Sequence, residues 1–147
     1  MASRRNIYQG PGSVYARMEG VWAPGSGIRS LESAASIAAL ILRDYRRGWT
    51  YDHYGNVIPM TWDLARRRLI YLYPLAIKHG APNPEAVRDL AFRAAATGAL
   101  PPEYLRYVRL EGPQAWRVAL ELGLPAAAPA AAVGRRDRAR KAKAASR

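Results

Sequence analysis

The chain has 147 residues with 23 Lys and Arg against 11 Asp and Glu, a formal net charge of +12 and an isoelectric point near 10.7. That length suits one domain with its own hydrophobic core and is short for two. Cysteine is absent, which excludes a disulfide framework and a thiolate metal site. The longest apolar runs, AASIAALIL at 34–42 and LIYLYPLAI at 69–77, fall well below the roughly 18 to 20 residues that span a bilayer, so no transmembrane segment is expected.

The positive charge is concentrated at the ends. Residues 1–29 carry four Arg and one Glu, residues 30–124 twelve cations and nine acids, and residues 125–147 seven cations and one Asp. Charge clustered on terminal segments costs little folding stability and acts mainly in association, which favours a polyanionic partner. Twenty of the 23 cations are Arg. Arg grips a phosphate through two parallel hydrogen bonds, although the codon bias of a GC-rich genome also raises Arg, Ala and Gly together.

In chain order, residues 1–29 read as an extended basic and aromatic arm, because GPG at 10–12 and APGSG at 23–27 forbid a continuous helix. The start, MASRRNIYQG, has cations with no apolar stretch after them, which argues against a secretory signal. Arg4, Arg5, Tyr8, Tyr15, Arg17, Trp22 and Arg29 alternate loosely along the arm. Such interleaving suits a strand laid along nucleic acid, cations on phosphates and rings on sugars or bases; it equally suits an arm packed across its own or a neighbour's helices.

A helical domain is expected over 30–124. Its first helix runs over 31–47, with Ser30 as N-cap and Gly48 as stop, and Leu31, Ala34, Ala35, Ala38, Ile41, Leu42 and Tyr45 form the core face. The opposite side carries Glu32, Ser36, Arg43 and Arg47 together with Leu40, an apolar residue that implies a second packing partner. Residues 48–59 read as a loop. Thr61 or Asp63 then opens a second long helix to Lys78, in which Pro74 is expected to cause a kink or an early end. Trp62 and Leu69 belong to its main apolar face, whereas Leu64, Tyr71 and Leu75 lie opposite. Arg67, between Arg66 and Arg68, faces solvent or a phosphate. Three shorter helical units follow, each with Pro near its start and Gly at its end, the first having Asn83 as N-cap. From 125 to 147 an Ala and Pro spacer leads to a basic tail holding Arg135, Arg136, Arg138, Arg140, Lys141 and Lys143. The expected fold is therefore all-α, a helical bundle built on two long helices plus short ones, flanked by the arm and the tail.

Catalysis needs a positioned nucleophile or base with its partners, and the chain offers poor material for it. His53 stands beside Asp52 in an aromatic loop, His79 falls at a helix end, and no His or Glu spacing suits a metal. The glycine clusters lack the Lys-Ser/Thr of a phosphate-binding loop. No enzyme activity, cofactor or metal is expected.

A short arm dense in Arg and Tyr with a Trp (RRNIYQGPGSVYARMEGVW), followed by an Ala- and Leu-rich helical domain beginning at RSLESAASIAALILRDYRRG, resembles the major coat proteins of archaeal filamentous and rod-shaped double-stranded DNA viruses. The resemblance covers residues 4–123 by architecture and composition. It implies homodimers, or heterodimers with a paralogous subunit, stacked in a helical filament around double-stranded DNA in the A form through backbone contacts, in a virion and in the host cytoplasm before assembly. The candidate nucleic-acid contacts are Arg4, Arg5, Tyr8, Tyr15, Arg17, Arg29, Arg43, Arg47, Arg67 and the tail cations Arg135 to Lys143 named above. Trp22, Leu40, Leu64 and Tyr71 are the candidate subunit interface, since self-assembly needs apolar patches. A ribosomal or chromatin-type protein with basic extensions would have much the same composition.

Overall fold

A computed structural model describes residues 6–124. Among them are six α-helices, α1 (Val14–Glu19), α2 (Leu31–Arg47), α3 (Trp62–Ile70), α4 (Leu72–Lys78), α5 (Pro84–Thr97) and α6 (Ala115–Glu121). A two-stranded antiparallel sheet, β1 (Trp49–Tyr51) and β2 (Val57–Pro59), stands between α2 and α3, and a 3₁₀ helix (Pro102–Tyr107) lies between α5 and α6. The fold is mostly helical but mixed, which corrects the all-α expectation. The reason lies in the segment read as a loop. Gly48 ends α2 in the left-handed region at φ 88°, and the aromatic and β-branched residues after it pair in the register Trp49 to Pro59, Thr50 to Ile58 and Tyr51 to Val57.

Local chemistry sets the helix boundaries. The Ser30 hydroxyl accepts from the Ser33 N–H, the Thr61 hydroxyl from Leu64, and the Asn83 side chain from Ala86. Pro84 occupies the first turn of α5, where its missing N–H costs nothing. Pro74 has no N–H to offer the carbonyl of Ile70, and the long second helix divides there into α3 and α4 around Tyr71. The unit at 101–112 is a 3₁₀ turn followed by extended chain, not a further α-helix.

The helix α2 is the axis of the molecule. Every residue from Ser33 to Asp44 is buried, so this helix has no solvent face through its middle turns. Its Ala- and Ser-rich stretch lets neighbouring backbone approach closely, and the Ser36 hydroxyl bonds both the N–H and the carbonyl of Arg109, at 2.7 and 2.9 Å. Helices α3 and α5 pack against α2 and against each other, and α4 packs on α5.

Residues 6–29, expected as part of an extended arm, are folded into the same core. Ile7, Tyr8, Val14, Tyr15, Val21, Ala23 and Ile28 are all buried. The segment is tied by a parallel bridge between Gln9 and Ala23 and an antiparallel bridge between Trp22 and Glu111. The second bridge requires Gly112: at φ 107° a Cβ there would lie 2.5 Å from the Gly20 carbonyl and 2.7 Å from the Trp22 ring. Leu40 thus finds its second partner inside its own chain. It lies on the same stripe of α2 as Ser36, Arg43 and Arg47, whose side chains bond Arg109, Glu19 and Glu121, and it is fully buried.

This placement makes Leu40 core and not subunit interface. Leu40→Ala should cost about 2 to 5 kcal/mol in urea unfolding, and Leu40→Asp should abolish the folded state in circular dichroism. A Leu40→Asp chain that stays folded and loses only higher-order assembly would refute the core assignment.

Candidate nucleic-acid interface

The charges at the centre of the folded domain are paired with one another. At its centre the Asp44 carboxylate, wholly buried, accepts hydroxyl hydrogen bonds from Tyr8 at 3.2 Å, from Thr50 at 2.6 Å and from Tyr15, and lies 3.1 Å from the Arg47 guanidinium. Arg68 reaches over from α3 to donate to the Tyr8 hydroxyl at 2.9 Å, to Thr50 at 3.1 Å and to the Tyr51 carbonyl at 3.1 Å. One layer out, Glu19 at the end of α1 takes Arg43 at 3.1 Å, Arg47 at 3.2 Å and the Tyr51 hydroxyl. Arg43 continues to Glu121 of α6 at 2.8 Å. Three acids and three arginines balance within one network that joins α1, α2, β1, α3 and α6.

Burial pushes the Asp44 carboxyl up to about 7, against the opposing pull of Thr50, Arg47, Tyr8 and Arg68. Burial also works against the charge on Glu19, yet hydrogen bonds from Tyr51, Arg47 and Arg43 hold its carboxyl below the usual range. The Tyr8 hydroxyl is raised, first by burial and then by the nearby Asp44 charge, so it remains a donor.

This network reassigns several expected nucleic-acid contacts. Tyr8 and Tyr15 are buried with ring centroids 4.8 Å apart. Arg43 is buried between two carboxylates, and Arg47 is half-buried with its guanidinium 3.4 Å above the Trp49 ring. A phosphate reaching any of these four would have to displace internal partners. Arg67 is exposed but paired with Asp63, one turn away at 3.1 Å. Arg29 is exposed and donates to the His79 carbonyl at 3.3 Å, while the Ile28 N–H donates to His79 Nδ1 at 2.9 Å. Burial, then the charges of Arg29 and Lys78, keep His79 below the ordinary histidine range, consistent with an accepting Nδ1. Arg17 is exposed and has no ion pair among the described residues. Arg4, Arg5, Arg135, Arg136, Arg138, Arg140, Lys141 and Lys143 lie outside the described residues.

Of the expected interface residues, Leu40 is core, Leu64 is half-buried against the core, and Trp22 is half-buried with its indole N–H on Glu111 at 3.0 Å. Only Tyr71 stands well out, 59% exposed. The sequence reading missed other apolar projections, two of them prominent: Trp116 and Leu120, one turn apart on α6, and Tyr54 in the turn between the strands, 83% exposed. A signal for the second was present, because Asp52 stands two residues before Tyr54 and four before Asn56, the spacing of a side chain that closes a turn on its own backbone.

Among the described residues no group of His, Asp and Glu is arranged to hold a metal ion, and no helix is long and apolar enough to cross a membrane. No family model matches the chain, and comparison with curated proteins and with solved structures found no match.

The buried carboxylate makes a pH-dependent prediction. With its folded pKa near 7 and an ordinary unfolded value near 4, Asp44 binds more protons folded than unfolded between those limits, so its contribution worsens as pH rises through that window and is fully adverse above it. Tyr15→Phe removes one donor to the ionised form. It should therefore cost about 1 to 3 kcal/mol at pH 8 and clearly less at pH 5, read by urea unfolding at both pH values. An equal cost at both would show that the hydroxyl does not serve the charge.

Proposed function

We propose that this chain is a structural coat protein that polymerises into a helical filament and packages double-stranded DNA through sequence-independent backbone contacts. The observation that carries the reading is the division of charge. Residues 6–124 hold fourteen cations and ten acids, with Asp63, Asp89, Glu103 and the acids of the central network all engaged by arginines. Eight of the twelve net positive charges fall in residues 1–5 and 125–147. A domain of small net charge flanked by strongly basic ends suits a subunit that presents its charge to a continuous polyanion, whatever its base sequence.

The polymer half of the proposal rests on the apolar projections of the domain. Tyr71 and Ile77 stand out from α3 and α4, and Trp116 and Leu120 from α6, each more than two-fifths exposed. Patches on different elements allow a heterologous, non-closing contact that builds a filament. The resemblance to archaeal filamentous-virus coat proteins points the same way and would place the chain in a virion with DNA in the A form. The burial of Leu40 removes one of the apolar residues expected to serve assembly, and this favours, as a second reading, a ribosomal or chromatin-type protein that forms discrete complexes.

Negative-stain microscopy of the full chain with and without duplex DNA separates the two, long filaments supporting the coat and discrete particles the alternative. Binding should be insensitive to base sequence, with a slope of log K against log salt of about −5 to −10 if roughly 6 to 11 cations meet phosphates. Deleting 134–147 should make that slope shallower and leave helix content unchanged. A full-length slope shallower than about −2 would remove the packaging reading.

A further inference from the structure

The turn between β1 and β2 is built as a rigid mount for an aromatic ring. The Asp52 carboxylate accepts from the backbone N–H groups of Tyr54 and Asn56, each at 2.9 Å, and from the Asn56 side-chain amide at 3.0 Å. Gly55 N–H closes the loop on the Asp52 carbonyl at 3.2 Å. These bonds hold the Asp52 carboxyl below its usual range and commit the one acid of the turn to the turn itself. Tyr54, which they fix, buries almost none of its own surface.

Helix α1 lies against the same turn. Arg17 Nη2 and Met18 Sδ are the atoms that a Cβ on Gly55 would meet, at 3.0 and 3.7 Å, so the guanidinium sits directly over the turn backbone. Arg17 and His53 also line one depression of about 240 Å³ with Asn6 and Ser13. Asn6 directly follows Arg4 and Arg5 in the sequence. Glu19, the acid of α1, is turned inward onto Arg43 and Arg47.

We infer that this face of α1 and the hairpin turn is a direct nucleic-acid contact, in which Arg17 takes a backbone phosphate and the Tyr54 ring lies against a sugar or a base. The inference deepens the nucleic-acid reading above and rests on it. An ordered, exposed ring loses little conformational freedom on binding, and an aromatic face accepts any base, which fits a partner of arbitrary sequence. Charge favours nucleic acid over a second copy of the chain: Arg17 has no ion pair among the described residues and points a donor fork outward beside the ring, and a chain carrying +12 repels its own copies while it attracts a phosphate backbone.

The test uses the full chain and a fluorescein-labelled 30-base-pair duplex of random sequence, read by anisotropy across a salt series. Tyr54→Ala should weaken binding by about fivefold or more while Tyr54→Phe keeps wild-type affinity, and Arg17→Gln should make the salt slope shallower by about 1. Circular dichroism establishes that each variant is folded, and Arg17→Gln tests the face independently of the turn. Changes below twofold in folded Tyr54→Ala and Arg17→Gln chains, with wild-type binding intact, overturn this contact and leave the packaging reading standing. Loss of self-association with unchanged DNA affinity overturns it too, by making the face a subunit contact. If the wild-type chain shows no affinity for the duplex at low salt, the packaging reading and this inference fall together.

Discussion

A single buried carboxylate imposes most of the order seen here. Asp44 is fully buried near the end of α2, where an unpaired charge would cost more than the whole stability of a domain of this size. Its satisfaction requires hydroxyls from Tyr8, Tyr15 and Thr50 and a guanidinium from Arg47, contributed by segments far apart in the chain. Bringing them together pulls residues 6–29 onto the second face of α2. Arg68 and Glu19 then complete the shell, each answering a charge or hydroxyl left by the last.

That arrangement changes what an arginine in this sequence means. Arg43 and Arg47 stand on the hydrophilic side of α2, where a helix read alone would offer them to a phosphate. In the folded chain that side is covered, and the two guanidinium groups hold α1 and α6 in place. Removing one partner of such a pair leaves the other buried and charged, so these residues act through folding before any contact with a ligand. Arg17, exposed and without an ion pair among the described residues, is by contrast a cation that this internal network does not use.

The same covering explains the redistribution of apolar surface. Leu40 has the position of an interface residue on an isolated amphipathic helix, yet it is fully buried within its own chain, on the stripe of α2 whose Ser36 bonds Arg109 and whose Arg43 bonds Glu19. Several of the apolar side chains that do project come from the margins: Tyr71 at the break between α3 and α4, Trp116 and Leu120 on the short last helix, and Tyr54 on the hairpin. Each of these lies where the chain turns or in a short element near its end, and at Tyr54 the Asp52 turn holds the ring away from the core.

What the sequence determined by itself was local. Ser30, Thr61 and Asn83 cap helices because a side-chain oxygen can reach an N–H two or three residues on, and Pro74 divides a helix because its nitrogen carries no proton; neither effect needs a distant partner. The ion pairs Asp63–Arg67 and Asp89–Arg93 follow from the spacing of one helical turn in the same way. Tertiary structure alone decided that Tyr8 and Tyr15 are buried donors to Asp44 and that Arg43 bridges Glu19 and Glu121. An aromatic residue beside an arginine has the same local pattern whether it meets a base or a buried carboxylate, and only the segment folded against it distinguishes the two.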